Sequence, residues 1–416
     1  MNQINQINQI NQKLFCIALG TRPEIIKMAP LVWECEKRGL NHFILHTGQH
    51  YSENMDQVFF RTLNLPEPLY NIHAGSGSHA EQTAKILIEA EKIFLKERPG
   101  IVLVQGDTNS TLAVSLAAVK LGIPIGHVEA GLRCGDMFMP EEINRKLTDH
   151  ISSYLFAPTQ KSFDNLQKEG IDSKKIFITG NTIVDAIYTV LRNINDTKRN
   201  QQPTTNNQQL RTKNYFLLTL HRQENVDSKD RLISIFEGLK LVYSDYNLPI
   251  IYPVHPRTEK RLSEFEIKVP DGIILTEPLD YFEFLQLEKD ARLIFTDSGG
   301  VQEEACILHT PCVTLRYNTE RPETVDVGAN ILSGTNPHKI LESVKFILNT
   351  SNPHQTNQIN QMNQNNQTNQ INQINQMNQM NQINETSWQN PFGDGKAAER
   401  IIDILQRNSE EVGKIA

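Results

Sequence analysis

Acidic side chains follow two predicted strands of this chain. Asp107 comes shortly after the apolar segment 101–104, and Glu129 comes directly after 123–128. Glu141 follows a short loop further on, in a Pro-Glu-Glu sequence. In an open parallel sheet, ligands bind outside the carboxyl ends of the strands. Carboxylates at that edge can take and return protons, whereas a core element would not carry them so regularly. The three residues therefore predict acid–base chemistry.

Histidines supply a second group of candidates. His221 lies just past the end of a predicted strand, in a position that matches that of Asp107 in the first half. That position favours a role in catalysis, although a lone histidine is more often structural or exposed. His255 occupies a similar edge, His50 is another polar edge residue, and His127 is predicted to lie in the core.

Two turns have the composition of anion-binding sites. Residues 20–24 read Gly-Thr-Arg-Pro-Glu between the first strand and the first helix, where backbone N–H groups and Arg22 can face an anion. An ordinary turn with a surface arginine is the alternative. Ser298, Gly299 and Gly300 follow a strand and open a helix, which favours a phosphate cradle. No Gly-Lys-Ser/Thr follows, so the segment is not a Walker A motif.

Charged residues lie close to the second turn. Glu303 and Glu304, one helical turn later, can accept hydrogen bonds from ribose hydroxyls, and exposed helix glutamates are the alternative. Arg321 lies in a proline-bounded loop, where recognition of phosphate and simple solvation are both open interpretations.

Short apolar segments alternate with amphipathic helices along the chain. One helix is predicted from Pro23, and another over 80–98, where Ile86, Ala90 and Ile93 share a face. The alternation predicts βαβ units and a mainly parallel sheet. The predicted strands are 14–19, 42–46, 101–104, 123–128, 154–156 and 175–178 in the first half, and 215–220, 250–254, 273–275, 293–296 and 312–315 in the second.

A second series of alternating strands and helices begins after the polar stretch 193–214, which we predict to be a surface loop. The fold class is therefore α/β, with two Rossmann-like domains facing across a cleft. A last helix is predicted over 396–405, with Ala397, Ile401 and Leu405 on one face, and it crosses back to the first domain.

The predicted domain boundaries are 13–182 for the first Rossmann-like domain, 183–354 for the second, nucleotide-binding domain, and 388–416 for a closing loop and helix. Residues 1–12 and the insert 355–387 are rich in an uncharged Asn-Gln-x repeat. They cannot bury enough apolar surface to offset their ordering entropy, so we predict disorder. A prion-like role is the alternative, since such tracts are prone to β-aggregation.

The composition argues against several classes of protein. The 416 residues carry a formal net charge of −7, so there is no basic surplus for a nucleic-acid partner. The five cysteines form no Cys-x-x-Cys pair, which is typical of reduced cytosolic thiols and indicates no metal site. We expect no signal peptide and no membrane partner, because no apolar run approaches the ~20 residues of a membrane span. These features predict a cytoplasmic protein.

Together, the motifs resemble the non-hydrolysing UDP-N-acetylglucosamine 2-epimerase family. The matching segments are GTRPE at 20–24 with Lys27, GDT at 106–108, HVEAGLR at 127–133, PEE at 140–142 with Asn144 and Arg145, GNT at 180–182, HR at 221–222, TDSGGVQEE at 296–304, TERPE at 319–323 and NPFGDG at 390–395. The resemblance covers essentially all of 14–350 and 388–406. So many motifs in order are specific, whereas each alone would be weak.

The resemblance implies a GT-B-like pair of domains that holds a nucleotide sugar in the cleft between them. The implied reaction inverts C2 of UDP-N-acetylglucosamine to give UDP-N-acetylmannosamine. Because no carbonyl lies next to C2, its proton is not acidic. The family instead eliminates UDP across C1–C2 and adds it back with the proton on the opposite face, without a redox cofactor. We also expect a homodimer that supplies cell-surface polysaccharide synthesis.

Carried onto this sequence, the resemblance assigns site roles residue by residue. The catalytic residues are Asp107, Glu129, Glu141 and His221. The substrate-binding residues are Arg22, Lys27, Phe284, Ser298, Gly299, Gly300, Glu304 and Arg321. One carboxylate would take the C2 proton, and another would return it or steady charge at C1. The arginines and His221 would stabilise the departing diphosphate, the serine–glycine turn would hold phosphate, Glu304 the ribose and Phe284 the uracil.

The sequence departs from the bacterial family members in two places. Segment 49–56 looks one residue longer and loop 133–140 looks shorter. In the bacterial enzymes these regions bind an allosteric second substrate molecule, so allostery is doubtful here. Relatives acting on diacetamido-uronic acid sugars have the same shorter loop, and such a sugar is an alternative substrate. A hydrolysing relative, a GT-B glycosyltransferase and a non-catalytic nucleotide-sugar sensor are the remaining alternatives.

Overall fold

The computed structural model describes residues 14–48, 53–200, 214–349 and 388–412. The chain divides into two compact units, residues 1–201 with 392–416 and residues 202–391. The disorder expected for 1–12 and 355–387 concerns positions outside the described residues, and so does the prediction for His50.

The first unit contains a seven-stranded sheet in the order β3-β2-β1-β4-β5-β6-β7, and every neighbouring pair is parallel. The strands are β1 (Phe15–Leu19), β2 (His42–His46), β3 (Tyr70–Asn71), β4 (Ile101–Gln105), β5 (Ile125–Val128), β6 (Tyr154–Ala157) and β7 (Ile176–Ile178). The helices are α1 (Arg22–Arg38), α2 (Glu53–Thr62), α3 (His79–Glu97), α4 (Asn109–Lys120), α5 (Pro140–Ile151), α6 (Gln160–Lys168) and α7 (Thr182–Asn200). The strand order reverses between β1 and β4, which is the usual ligand position in a doubly wound sheet.

The second unit repeats this plan with a six-stranded parallel sheet in the order β10-β9-β8-β11-β12-β13. The strands are β8 (Phe216–Thr219), β9 (Ile250–Pro253), β10 (Ile273–Thr276), β11 (Leu293–Thr296), β12 (Cys312–Thr314) and β13 (Asn330–Leu332). The helices are α8 (Gln223–Val226), α9 (Lys229–Tyr246), α10 (Pro256–Glu264), α11 (Tyr281–Asp290), α12 (Gly299–Ile307), α13 (Pro322–Asp326) and α14 (Pro337–Asn349). Here the order reverses between β8 and β11. The prediction of two parallel, Rossmann-like sheets is confirmed.

The central strands of both sheets are buried along their length. All residues of β1, β4 and β11 are buried. Helices cover both faces of a doubly wound sheet, so its central strands are continuous apolar runs rather than alternating patterns. Such strands are rigid, and the loops at their carboxyl ends are held in fixed positions.

Most predicted strands agree with the structure within two residues, and the differences have local causes. Strand β5 begins at Ile125 rather than 123, since Pro124 has no N–H to donate to the sheet. The short strands β3 and β13 were not predicted, because two or three residues with polar members carry no alternating pattern. The surface loop predicted for 193–214 was wrong over its first part, where α7 continues to Asn200. The polar residues there include no glycine or proline that would end the helix.

The last helix, α15 (Ala397–Val412), belongs to the first unit, as predicted. Ala397, Ile401 and Leu405 are all buried and form its packed face. The carboxylate of Asp185 in α7 accepts hydrogen bonds from the backbone N–H groups of Ala397 at 3.1 Å and Ala398 at 3.0 Å. Asp185 therefore caps a helix that is distant in sequence. Burial raises the pKa of Asp185 to about 6, although these backbone hydrogen bonds oppose the shift.

The described parts of the chain contain neither a membrane-spanning helix nor a cluster of metal-binding side chains. No helix there is both long enough and apolar enough to cross a membrane. The same residues contain no group of three or more His, Cys, Asp or Glu side chains placed to hold a metal ion.

Candidate active site

A buried carboxylate joins the two strand ends at the switch point of the first unit. The backbone N–H of Gly20, after β1, donates to Glu24 Oε2 at 3.0 Å. Two hydroxyls from the loop and helix after β4 donate to Glu24 Oε1, that of Thr108 at 2.8 Å and that of Thr111 at 3.1 Å. Burial raises the pKa of Glu24 to about 7, and these hydrogen bonds oppose the shift. Glu24 belongs to the GTRPE segment, and the sequence predicted no role for it.

Gly20 itself is required by close packing at this point. A Cβ there would lie 2.1 Å from Thr47 Oγ1 and 2.3 Å from Ser110 Oγ. Those two hydroxyls are hydrogen-bonded to each other at 2.7 Å, so neither can simply turn away. The first glycine of the turn thus brings β1 close to α4.

Glu129 forms a buried ion pair in the loop after β5. Lys27 Nζ, on α1, lies 2.6 Å from Glu129 Oε1, and the two side chains are 6% and 2% exposed. The side-chain amide of Gln105 donates to the other oxygen, Glu129 Oε2. A buried carboxylate with a cation on one oxygen and an amide on the other is held as an anion in one orientation.

The backbone at Glu129 is unusual. Its φ angle is 69°, in the left-handed region that non-glycine residues seldom adopt. The N–H groups of Glu129 and Ala130 both donate to the carbonyl oxygen of Phe156, each at 3.1 Å. These bonds hold a strained conformation that aims the carboxylate at the edge of the sheet, and such strain is commonly found at functional sites.

Arg145 connects Asp107 with the start of α5. Its Nη2 lies 2.6 Å and its Nε 3.0 Å from Asp107 Oδ2, while its Nη1 lies 2.8 Å from Glu142 Oε2. The Asp107 side chain is 28% exposed, whereas Glu142 is fully buried and also accepts from the backbone N–H of Cys134 at 3.2 Å. Glu142 therefore organises the preceding loop.

Glu141, the other member of this acidic pair, is different. It is half-buried in the first turn of α5, and its carboxyl group makes no hydrogen bond or ion pair with any residue that the structure describes. The Oδ1 atom of Asp107 is likewise without a hydrogen-bond partner within the described chain. Two carboxyl groups thus keep oxygens available for a ligand.

Arg22 begins α1, shortly after the carboxyl end of β1. It is half-buried, and its guanidinium stands 5.9 Å from the ring centroid of Phe59. An aromatic ring beneath the guanidinium restricts its orientation. His127, in contrast, is fully buried, as predicted, and contacts Asp149 Oδ1 at 2.7 Å.

A carboxylate also joins the strand ends at the switch point of the second unit. Asp297, after β11, is fully buried and accepts from the backbone N–H groups of His221 at 3.1 Å and Arg222 at 2.9 Å. It also accepts from Asn225 Nδ2 at 3.2 Å, and its Oδ1 lies 3.3 Å from His221 Nδ1. Burial lowers the pKa of His221, and the charge of Asp297 opposes that shift. His255 stands beside this loop, with its ring centroid 6.1 Å from that of His221.

The predicted phosphate cradle begins α12, and a second carboxylate packs against it. Arg222 Nη2 and Arg316 Nη1 each lie 2.9 Å from an oxygen of Glu320. A Cβ at Gly299 would lie 2.3 Å from Glu320 Oε1, whereas a Cβ at Gly300 would meet only Ser298 Oγ, at 3.9 Å. The two glycines thus differ: the first is required by packing, and the second leaves the helix N-terminus open.

The charged residues near this turn are buried, so two of the alternatives raised by the sequence are wrong. Glu303 is fully buried and Glu304 is 7% exposed, so neither is a solvated helix glutamate. Arg321 is 5% exposed and is not a solvated loop residue; its Nε lies 2.6 Å from Glu303 Oε1. Glu304 Oε1 accepts from the hydroxyl of Tyr281 at 3.1 Å. Phe284 is half-buried and packs against the core beneath α12.

Comparison with known proteins decides the family. A sequence model described as UDP-N-acetylglucosamine 2-epimerase matches residues 34–371, which is most of the chain. The chain belongs to the UDP-N-acetylglucosamine 2-epimerase family.

Individual relatives agree with this assignment. The UDP-N-acetylglucosamine 2-epimerase of Methanocaldococcus jannaschii is 52% identical over 394 residues, covering 94% of this chain and 98% of its own length. A UDP-2,3-diacetamido-2,3-dideoxy-D-glucuronate 2-epimerase of Pseudomonas aeruginosa is 42% identical over 332 residues, 79% of this chain and 90% of that protein.

Solved structures of epimerases from this family share the fold. The crystal structure of the Methanocaldococcus jannaschii UDP-GlcNAc 2-epimerase in complex with UDP-GlcNAc and UDP is 50% identical, with a TM-score of 0.79 over 95% of this chain and 99% of that one. The Neisseria meningitidis enzyme bound to UDP-GlcNAc is 31% identical, with a TM-score of 0.78 over 95% of this chain and all of that one. A glycosyltransferase from Rickettsia africae, 11% identical with a TM-score of 0.51, shares the fold alone.

For this epimerase-family chain, the structure groups the predicted site residues by unit. Asp107, Glu129, Glu141, Arg22 and Lys27 follow β1, β4 and β5 of the first unit. The residues of the second unit are His221, Phe284, Ser298, Gly299, Gly300, Glu304 and Arg321. Sequence reasoning missed the buried residues that hold them, which are Glu24, Gln105, Asp297 and Glu320. For the first three, the available signal is a charged or amide side chain at a strand end or beside a glycine turn. Glu320 carries no such signal, because it lies in a loop away from both.

Proposed function

We propose that this chain interconverts UDP-N-acetylglucosamine and UDP-N-acetylmannosamine by elimination and re-addition of UDP. One observation carries the proposal. Three carboxyl groups follow adjacent strands of one sheet and have different surroundings: Glu129 has both oxygens occupied, whereas Asp107 and Glu141 keep oxygens available. In sites with several carboxyl groups, the surroundings of each group decide whether it stabilises charge or transfers a proton.

The chemistry requires a proton to leave C2 and another to return on the opposite face. In the elimination, a base takes the C2 proton, the electron pair forms the C1–C2 double bond, and the C1–O bond breaks with UDP leaving. Asp107 and Glu141 are the candidates for proton transfer because their oxygens are open to a ligand. Glu129, fixed by Lys27, would stabilise positive charge that develops at C1. In the addition, the other carboxyl group gives a proton to C2 on the opposite face, the electron pair of the C1–C2 double bond forms the new C2–H bond, and a phosphate oxygen of UDP re-forms the bond to C1.

The second unit would bind the nucleotide and stabilise the leaving diphosphate. The open N-terminus of α12 at Ser298 and Gly300 offers backbone N–H groups to phosphate. His221, held by Asp297, would donate to the departing diphosphate, with Arg22 and Arg321 as further cations. Glu304 would accept from the ribose, and Phe284 would pack on the uracil.

One experiment tests the reaction and separates the alternatives. The protein is incubated with UDP-N-acetylglucosamine alone in deuterated water, and the products are followed by NMR. The proposal predicts the manno isomer with deuterium at C2. Free N-acetylmannosamine with UDP would identify a hydrolase, and an unchanged C2 proton would identify a transferase or a sensor and overturn the proposal.

A UDP-diacetamido-uronic acid is the second candidate substrate. The observation that favours it is the 42% identity with the Pseudomonas aeruginosa 2-epimerase of such a sugar. The two substrates are compared by kcat/KM under the same conditions. A higher value for the uronic acid would replace the first assignment, and the elimination mechanism would remain.

We further infer that the enzyme works in the cytoplasm as a homodimer, without a metal or redox cofactor, and supplies sugars for cell-surface polysaccharide synthesis. Its five cysteines are free thiols, which is typical of a reducing compartment. Light scattering during gel filtration tests the dimer, and turnover after treatment with a chelator tests metal independence.

A further inference from the structure

Glu288 is a second buried carboxyl group, next to that of Glu304. On α11, the residues Tyr281, Leu285 and Glu288 follow the i, i+4, i+7 spacing of one helix face, and all three are buried. An apolar residue would be expected at the third position. Glu288 instead places a carboxyl group in the core, fully buried beneath α12.

Glu288 has no donor to bind its oxygens. No N–H or O–H group in the described part of the chain reaches either Oε1 or Oε2. An ionised carboxylate in such a place would pay a large desolvation cost. Burial, followed by the charge and contact of Glu304, raises the pKa of Glu288 well above its usual range. Full burial without a donor and the raised pKa both favour the neutral, protonated form of Glu288.

Glu304 is the acceptor for that proton. The two carboxyl groups lie within hydrogen-bonding reach of each other. Glu304 Oε1 also accepts from Tyr281 OH at 3.1 Å. Among the described residues, Tyr281 and Cys312 are further titratable groups beside Glu288, and burial raises the pKa of both side chains. No cation is among the groups that shift the pKa of Glu288.

We propose that Glu288 is a positioning residue for nucleotide binding: it donates a hydrogen bond to Glu304 from the core and fixes that carboxylate as an acceptor for the ribose diol. The inference rests on the proposed function, in which Glu304 receives the ribose. A carboxylate has about four acceptor positions. Tyr281 and Glu288 would occupy positions on the protein side, and the ribose diol would use another. A preorganised acceptor favours ribose over deoxyribose, because a missing hydroxyl leaves it unsatisfied.

The test compares UDP with 2′-deoxy-UDP by calorimetric titration on the full-length protein. Three proteins are compared: the wild type, Glu288→Met and Glu288→Gln. Methionine fills a similar volume without a donor, and glutamine keeps a neutral donor on the same frame. We expect the wild type to prefer UDP by about tenfold or more. Glu288→Met should lose most of that preference because its affinity for UDP falls, and Glu288→Gln should retain the preference.

The melting temperature separates positioning from a structural role. Because Met removes a buried polar group, the proposal predicts that Glu288→Met is as stable as the wild type or more stable. Loss of affinity for both nucleotides by the same factor, with a lower melting temperature, would show that Glu288 only supports the fold. An unchanged preference for UDP in Glu288→Met would also overturn the inference.

The outcome for the wild type distinguishes the two proposals. A wild type that does not bind UDP would contradict the proposed function itself. A wild type that binds UDP and discriminates against the deoxy form, together with a Glu288→Met variant that does the same, would remove only the role of Glu288. Glu304→Gln serves as the positive control, since it changes the acceptor directly and should reduce the preference for ribose.

Discussion

The points at which the strand order reverses in the two sheets each contain a buried carboxylate, but the two carboxylates bind different groups. In each unit, a buried carboxylate joins the loops after the two strands at which the sheet order reverses. Glu24 binds two threonine hydroxyls and one backbone N–H, and its pKa is raised to about 7. Asp297 binds two backbone N–H groups and an amide, all from the His221 loop. The first carboxylate joins side chains, and the second fixes the course of the backbone.

This difference extends to the residues around each point. The first unit places charged side chains, Glu129 with Lys27 and Asp107 with Arg145, at its edge. The second unit offers the N-terminus of a helix and a pinned turn, with Glu320 held between Arg222 and Arg316. We infer that the first unit supplies the proton-transfer groups, and that the second supplies the nucleotide-binding turn and, through His221, a donor to the leaving diphosphate. Changes in the carboxylates of the first unit should therefore lower kcat, and changes in the glycine turn of the second should weaken nucleotide binding.

The largest effect is expected from the carboxylates of the first unit. Asp107→Asn and Glu129→Gln should each lower kcat by at least ~10²-fold, because positioned acid–base and charge-stabilising groups typically contribute that much. The dissociation constant of UDP should change little. Steady-state kinetics and calorimetry measure both quantities, and Glu91→Gln on an exposed helix surface is the control. Near wild-type turnover in both variants would remove the distinction between the two units.

A smaller effect is expected at the cradle of the second unit. In Gly299→Ala, the new Cβ would lie 2.3 Å from Glu320 Oε1, and the two arginines prevent that carboxylate from moving. Overpacking of this kind costs about 1–3 kcal/mol. We expect a lower melting temperature and weaker UDP binding with little change in kcat at saturation.

Gly300→Ala is the matched control for this packing effect. The nearest atom to its Cβ would be Ser298 Oγ at 3.9 Å, so its stability should stay close to that of the wild type. Equal destabilisation of the two variants would contradict the packing argument.

The contrast also shows what the sequence could reveal. The parallel sheets, the central strands and the position of the candidate residues after β4, β5 and β11 were predictable, because apolar runs and glycine turns are local signals. The partners of those residues were not. The pairs Lys27–Glu129 and Arg321–Glu303 depend on how the chain packs, and no local spacing specifies them. The buried state of Arg321, Glu303 and Glu304 was undecided for the same reason: an amphipathic pattern does not show which charged residues find partners in the core.

The pH dependence of stability tests the unusual carboxyl at the first switch point. The ordinary pKa of a glutamate, as in the unfolded chain, is 4.5, whereas burial raises the pKa of Glu24 in the folded chain to about 7. Between these values the folded chain keeps a proton that the unfolded chain releases. The resulting stability is fully present below 4.5 and is lost as the pH rises to about 7, by at most about 1.4 kcal/mol per pH unit.

Glu24→Gln removes this titration, so the free energy of unfolding should fall less steeply between pH 4.5 and 7. The slope, rather than absolute stability, is the measurement, because the amide also replaces an acceptor for Gly20 N–H. Asp185, with a pKa of about 6, contributes a slope of the same sign and remains in both proteins. Chemical denaturation at several pH values measures the difference. Identical slopes would show that Glu24 is ionised in the folded protein.

The smallest effect is expected from the Asn/Gln-rich stretch, because none of the predicted site residues falls within it. In the sequence, the stretch lies between Asn349, at the end of α14, and Trp388. After the stretch, Trp388 anchors the chain: its indole N–H donates to the carbonyl oxygen of Cys306 at 2.8 Å, and its ring lies 5.7 Å from that of His309.

Deletion of 355–384 should leave kcat and UDP affinity unchanged, and it should alter stability only slightly, since each halving of a loop changes the closure cost by about 0.6 kcal/mol. Trp388→Ala should destabilise the second unit more than the whole deletion does. A deletion that abolished activity while leaving the melting temperature intact would assign the stretch a part in catalysis, and the division of labour between the two units would have to include a third segment.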